Sequence, residues 1–131
     1  MNKRVLKIFR KAMRMINEQS QVKELIWQVS QKLQNINSRN KQINELMEHV
    51  QLFLRMIKRS LAGEYSAFSH KTLLSLVFGL LYFVTPMDVV PDFIPLLGFS
   101  DDLSIVYFII KNFKSDIEAF KVWELNQESV R

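Results

Sequence analysis

The sequence predicts an all-α protein. We expect a long amphipathic helical arm or helical hairpin, followed by a compact apolar helical hairpin around a turn rich in proline and aspartate. Apolar residues recur at spacings of three and four over the first sixty positions, which is the repeat of a helix with one apolar side. The 131 residues include only three glycines and three prolines, too few for the turns of a many-stranded sheet. Two apolar runs then flank the stretch VTPMDVVPDFIPLLGFSDD, residues 84–102.

The composition limits the classes of protein and of site. A chain of 131 residues is long enough for one domain with a modest core. The absence of cysteine excludes disulfides, thiolate catalysis and cysteine-ligated metal sites. The net charge of +5 comes from 18 basic and 13 acidic residues, and the excess is concentrated in the opening NKRVLKIFRKAMR. That segment lacks the uninterrupted apolar core of a secretory signal. We therefore expect a cytoplasmic protein, with the inner face of the membrane as a candidate location.

The first sixteen residues predict a basic amphipathic helix, which has two interpretations. In one, its apolar side faces lipid tails while its cations meet anionic headgroups. In the other, the helix packs on the rest of the protein and the cations keep its outer side soluble. Nucleic acid is not an expected partner, because the chain has no recognised nucleic-acid motif. The apolar residues are Val5, Leu6, Ile8, Phe9, Met13 and Ile16, and the candidate contacts with a membrane or another anionic surface are Lys3, Arg4, Lys7, Arg10, Lys11 and Arg14.

The apolar repeat continues to residue 61 and is compatible with two architectures. Only Gln19 and Asn40 interrupt it. One long helix could pair with another copy through residues 22–61, with Asn40 as a polar seam residue that fixes the register. Alternatively, QNINSRNKQ is a turn, since asparagine and serine favour turns and helix caps. The break is favoured, because a lone helix of 57 residues, 5–61, is uncommon in a small protein.

The second half is apolar and poor in cations. An apolar run covers residues 73–84, and LSIVYFII follows the proline-aspartate stretch. A membrane-spanning helix needs about 20 apolar residues, so both runs are too short. They suit helices buried in a protein core or a hairpin that enters one leaflet, and the pattern does not choose between them.

Each aspartate of the stretch between these runs has a structural interpretation. Thr85 is placed to cap a helix that begins at the next proline, with Asp88 completing an aspartate version of the capping box. The later prolines are expected to interrupt any helix. Gly98 would then allow a positive φ, and Ser100 or Asp101 would cap a second helix, whose dipole favours acids in the first turn.

A second interpretation of the aspartates is chemical. Four carboxylates without a nearby cation repel one another unless Mg²⁺ or Ca²⁺, a basic surface or protonation neutralises them. Their spacing matches no calcium loop or zinc motif, so no cofactor is the leading expectation. No catalytic residue is predicted, since His49 and His70 lie far from the aspartates and no nucleophile motif is present. The weak candidates for metal ligands are Asp88, Asp92, Asp101 and Asp102.

The stretch resembles the signature of the YkvA-like family, a bacterial domain of unknown function. The likeness covers about residues 52–124, with Ser69 and Met87 as departures from the usual proline and leucine or isoleucine. The resemblance divides the chain into an arm (1–61), a YkvA-like helical domain (62–124) and a polar tail (125–131). It also implies association with membranes and no established activity. The matching residues are Tyr82, Pro86, Asp88, Pro91, Asp92, Ile94, Pro95, Gly98, Asp101 and Asp102.

Taken together, the sequence favours a small, non-enzymatic helical protein that associates with a membrane or a protein partner. The apolar hairpin would contact lipid or protein, and the basic first helix would aid attachment. One alternative is an enzyme or ion-handling protein that uses the aspartates around a divalent metal. The other is a coiled-coil protein that forms homo-oligomers through residues 22–61.

Overall fold

A computed structural model describes residues 3–37, 39–85 and 95–130, with side chains described in these ranges except at 95–102 and 129–130. Within these ranges the chain forms six α-helices and no β-strand, which confirms the predicted all-α class. The helices are α1 (Lys3–Met15), α2 (Gln19–Asn35), α3 (Lys41–Leu61), α4 (His70–Val84), α5 (Pro95–Asn112) and α6 (Lys114–Val130).

The two interruptions of the apolar repeat both mark the start of a helix. Asn40 is the N-cap of α3, where its side-chain oxygen accepts hydrogen bonds from the N–H groups of Gln42 (2.9 Å) and Ile43 (3.2 Å). α2 begins at Gln19, a break that the sequence did not predict. The predicted break near Asn40 is therefore confirmed, and the continuous 57-residue helix is not formed.

The apolar seam of residues 22–61 is largely buried within one chain. α2 and α3 contact each other, and both contact α4. A homo-oligomer through residues 22–61 stays a prediction. The seam residues that are buried include Val22, Val29, Ile43, Val50, Leu54 and Ile57.

α4 lies at the centre of the fold. It is in contact with α1, α2, α3 and α5, and every residue from 76 to 83 is buried. A helix that is apolar on all sides must be surrounded, and here the surroundings of α4 are protein. The described structure thus assigns this apolar run to the core.

α1 packs its apolar side against α4. Ile8, Ala12 and Met15 are buried, and the ring of Phe9 meets that of Phe78 edge-on at 5.7 Å between centroids. Of the two interpretations of this helix, packing against the protein is the one that the structure shows. Five of the six cations of α1 are consequently exposed, and Arg4 is half-buried.

An aromatic cluster joins α6 to the segment between α3 and α4. It consists of Tyr65, Phe68, Phe120 and Trp123, with centroid separations between 4.5 and 5.8 Å. Gly63, at φ 74°, lets the chain turn away from α3 toward this cluster, in a conformation that glycine adopts at little cost. Burial, together with the charge of Asp116, raises the pKa of Tyr65.

The predicted start of the last apolar helix was wrong. α5 begins at Pro95, so Gly98, Ser100 and Asp101 lie inside a helix and do not form a turn and a cap. Proline is well tolerated in a first helical turn, where its missing N–H would have no partner, and Pro95 therefore starts a helix that it was expected to interrupt. Thr85 is the C-cap of α4. The helix predicted to begin at Pro86 falls outside the described residues.

A buried hydroxyl ties α4 to α6. Thr72, 1% exposed, donates its hydroxyl hydrogen to the carboxylate of Asp116, and its hydroxyl oxygen lies 3.0 Å from the hydroxyl oxygen of Ser69.

Replacing Thr72 with valine should lower the free energy of unfolding by about 1 to 2 kcal/mol, since the carboxylate of Asp116 loses its donor while the side-chain volume is kept. Urea unfolding of Thr72→Val, Asp116→Ala and the double variant measures the coupling between the two residues. Strictly additive effects would show that the hydrogen bond contributes nothing to stability.

Candidate functional site

One side of α1 is lined by cations. Arg4, Lys7, Lys11 and Arg14 recur at spacings of three and four, so they share a side of the helix, and we refer to them as the basic stripe. Lys3 and Arg10 lie beside it on the outer side. Arg4 is half-buried and the other five cations are exposed. Contact of these six residues with a membrane or another anionic surface stays a prediction.

The exposed cations of α1 form no ion pair with the described residues. Four ion pairs occur among the described residues, and none of them includes a cation of α1. α1 itself contains no acidic residue. Positive charges on one side of a helix sum to a positive potential that attracts anionic surfaces.

Arg4 connects the basic stripe to the end of α4. Its guanidinium donates to the carbonyl of Thr85 (3.2 Å) and to the hydroxyl of Tyr82 (3.4 Å), and lies 4.9 Å from the centre of the Tyr82 ring. Cations near the last carbonyls of a helix satisfy those acceptors and favour the negative end of the helix dipole. The buried signature residue Tyr82 is thereby part of the contact that holds α1 on α4.

Lys32 makes the equivalent contact from α2. Its ammonium group donates to the carbonyl of Phe83 and lies 4.5 Å from the centre of the Phe83 ring. Two cations from different helices thus converge on the carboxyl end of α4, next to the signature stretch. No sequence pattern pointed to Lys32, which lies in a polar segment far from that stretch.

An open groove lies between α1 and α2. Its larger part has a volume of about 440 Å³, and a second part of about 260 Å³ shares Lys11, Gln28 and Leu81 with it. We call both parts together the α1–α2 groove. Trp27, 59% exposed, is among the residues that line the larger part. The full lining of the larger part is Lys11, Trp27, Gln28, Gln31, Lys32, Leu81, Val84 and Thr85.

Trp27 lines this groove and was not among the residues predicted from the sequence. It stands one position after Ile26, off the apolar repeat, in a helix whose outer side is otherwise polar. An exposed tryptophan there was the available signal, since its amphipathic ring is typical of surfaces that meet a partner or a membrane interface.

Metal binding by the four aspartates stays a prediction. Pro86, Asp88, Pro91, Asp92 and Ile94 fall outside the described residues. Elsewhere, over the part of the chain that the structure describes, no group of three or more histidine or acidic side chains is placed to hold a metal ion. The remaining signature residues, whose backbone alone is described, belong to α5 and are Pro95, Gly98, Asp101 and Asp102.

The two histidines lie in different helices. His49 lies on α3, where its Nε2 is 3.9 Å from Oε1 of Glu45. The centre of its ring is 5.9 Å from the centre of the Tyr107 ring. A hydrogen bond with Glu45 raises the pKa of Tyr107. His70 is exposed at the start of α4.

Comparison with known proteins places the chain in a family. A family model described as a protein of unknown function (DUF1232) matches residues 72–108. The "Uncharacterized membrane protein YkvA" of Bacillus subtilis (strain 168) is 32% identical over 87 residues, which cover 66% of this chain and 82% of the relative. The chain belongs to the YkvA-like DUF1232 family. No solved structure matches it.

The DUF1232 match maps onto α4 and most of α5. It includes Tyr82 and the carboxyl end of α4, where Arg4 and Lys32 converge, whereas the basic stripe itself lies outside the matched residues. The predicted resemblance to this family is confirmed. No helix in the described ranges of this DUF1232 protein has the length and apolarity needed to cross a bilayer.

Proposed function

We propose that this DUF1232 protein is a non-enzymatic peripheral protein that attaches to the anionic, cytoplasmic face of a membrane through the exposed cations of α1. The observation that carries the proposal is the separation of roles on this helix. Its apolar side is buried against α4, while five of its six cations are exposed and have no ion pair with the described residues.

The attachment we propose is mainly electrostatic. Each lysine or arginine near an anionic leaflet contributes about 1 kcal/mol, so the cations of α1 suffice for reversible binding without a spanning helix. The apolar side of α1 is occupied by α4, and only Leu6 and the 45% exposed Met13 remain beside the cations to add apolar contact. Membrane association is also consistent with the name of the Bacillus subtilis relative.

Co-sedimentation with liposomes tests the proposal. The protein should pellet with phosphatidylcholine vesicles that contain phosphatidylglycerol and not with phosphatidylcholine alone, and binding should weaken as salt is raised, because exposed charges are screened. Changing Lys7, Arg10 and Arg14 to glutamate should abolish pelleting.

A matched control separates the surface of α1 from net charge. The triple change of Lys58, Lys114 and Lys121 to glutamate alters the net charge equally, and these three lysines are exposed on α3 and α6. This control should pellet nearly as well as the unaltered protein, with circular dichroism verifying the fold of both variants. Equal losses in the two variants would contradict attachment through α1, and no pelleting of the unaltered protein at low salt would remove the proposed function.

A further inference from the structure

We propose that the α1–α2 groove binds one anionic phospholipid, with the phosphate at Lys11 and the first part of an acyl chain along Leu81 and Val84. This inference rests on the proposed function and specifies which lipid class the surface selects. It assigns a defined site to an attachment that α1 alone would make only through its overall charge.

The size and floor of the groove suit the upper part of a lipid. Clefts that hold small molecules have volumes of about 300 to 1,000 Å³, and the larger part of the groove alone reaches about 440 Å³. Leu81 and Val84 form an apolar floor, and Met15 and Leu25 continue it into the second part. Apolar side chains of this kind stabilise hydrocarbon by removing it from water.

The side chains at the rim of the groove supply polar groups that would bind the phosphate. Lys11 is exposed and makes no ion pair with the described residues, so its ammonium group is available to a phosphate. Lys32 already donates to the Phe83 carbonyl. Its contribution to phosphate binding is therefore positive potential rather than a further hydrogen bond. Gln31 adds a carboxamide donor, whereas the carboxamide of Gln28 already donates to Glu24 at 3.5 Å. No carboxylate lines the larger part, whereas Glu24 lines the smaller one, which places the anion in the larger part.

The position of the groove favours a lipid over a free phosphate ion. An apolar floor contributes nothing to the binding of inorganic phosphate. Lys7 and Arg14 lie on the same side of α1 as Lys11, so a membrane held by the basic stripe would meet the mouth of the groove. Trp27, with an apolar ring and one N–H donor, stands where the headgroup region would begin.

Titration with a short-chain lipid below its micelle concentration tests the site without a membrane. In a Trp123→Phe background, Trp27 is the only tryptophan of the chain. Dihexanoyl phosphatidylglycerol should shift its emission to the blue in a saturable manner, with at least tenfold weaker binding of dihexanoyl phosphatidylcholine. Inorganic phosphate should neither shift the emission nor compete with the lipid.

Two matched variants assign the effect to the groove. Lys11→Gln should weaken binding of dihexanoyl phosphatidylglycerol by about tenfold, which corresponds to about 1.4 kcal/mol. Lys7→Gln removes the same charge from the same stripe, and since Lys7 does not line the groove, it should leave this affinity unchanged. A flat emission titration, equal losses in the two variants or effective competition by inorganic phosphate would each overturn the lipid site.

The site and the proposed function fail in different experiments. If vesicles pellet the protein but the short-chain lipid gives no saturable shift, the groove is excluded and electrostatic attachment stands. If the short-chain lipid binds through Lys11 but anionic vesicles do not pellet the protein, the groove stands and peripheral attachment is excluded. In both cases the Lys7→Gln and Lys11→Gln proteins are compared by circular dichroism.

Discussion

Replacing Phe120 with alanine is expected to lower the free energy of unfolding by about 3 to 5 kcal/mol, the range for removing a fully buried phenylalanine. Phe120 is 0% exposed, and its ring centre lies 5.3 Å from that of Tyr65, 5.8 Å from Phe68 and 5.7 Å from Trp123. The substitution removes one of the two rings that contact every other member of the aromatic cluster, the second being Tyr65, and leaves a cavity that the remaining rings can fill only in part. Urea unfolding followed by circular dichroism measures the loss.

A position on the same helix provides the control. Val122 is 58% exposed, so Val122→Ala should change the free energy of unfolding by no more than about 0.5 kcal/mol. The difference between the two variants reports the contribution of the cluster, because both change one residue of α6 to alanine. A loss for Phe120→Ala as small as that for Val122→Ala would mean that α6 adds little to the core.

The substitution Gly79→Leu is expected to lower the free energy of unfolding by about 2 to 3 kcal/mol through overpacking. A Cβ atom on Gly79 would lie 2.8 Å from Cδ1 of Ile109 and 3.5 Å from the ring of Phe53. Ile109 and Phe53 are both fully or almost fully buried, so neither can move aside easily. Gly79 therefore serves the close approach of α4 and α5, and a larger side chain must push the two helices apart.

A compensating change on α5 distinguishes this clash with Ile109 from a general inability of α4 to accept a larger side chain at position 79. Ile109→Ala removes the atoms that the leucine would meet, so the double variant should be more stable than the sum of the two single losses predicts, by about 1 kcal/mol or more. Thermal and urea unfolding of the four proteins give the coupling energy. Simple additivity would indicate that the leucine clashes elsewhere.

The local parts of this fold follow from the sequence. The apolar repeat predicted helices with one apolar side, and each of α1, α2 and α3 buries residues of that repeat, because a helix with one apolar side must cover it. Asparagine near position 40 predicted a helix boundary, since its side chain can satisfy the N–H groups of a first turn. The Pro95 error has a local cause as well: a proline can end one helix or begin another, and short-range rules do not decide which.

The contacts between helices that are distant in the sequence could not be predicted. The apolar side of α1 would have the same pattern whether lipid or α4 covered it. The choice depends on a partner 78 residues further along the chain, as in the contact of Arg4 with Tyr82. The α1–α2 groove has the same origin, since Lys11, Trp27 and Leu81 meet only once three helices have packed. The family resemblance identified Tyr82 as a signature residue but not its contact with α1.

The packing of α1 on α4 has a consequence for the energetics of attachment. A free amphipathic peptide must become helical when it meets a membrane, and part of its binding energy is lost to that ordering. Here the helix is already formed, and its cations are held at fixed intervals over about 15 Å between Arg4 and Arg14. Binding should therefore proceed without a gain in helical circular dichroism. Weakening the contact between α1 and α4 should reduce membrane affinity even if every cation is retained.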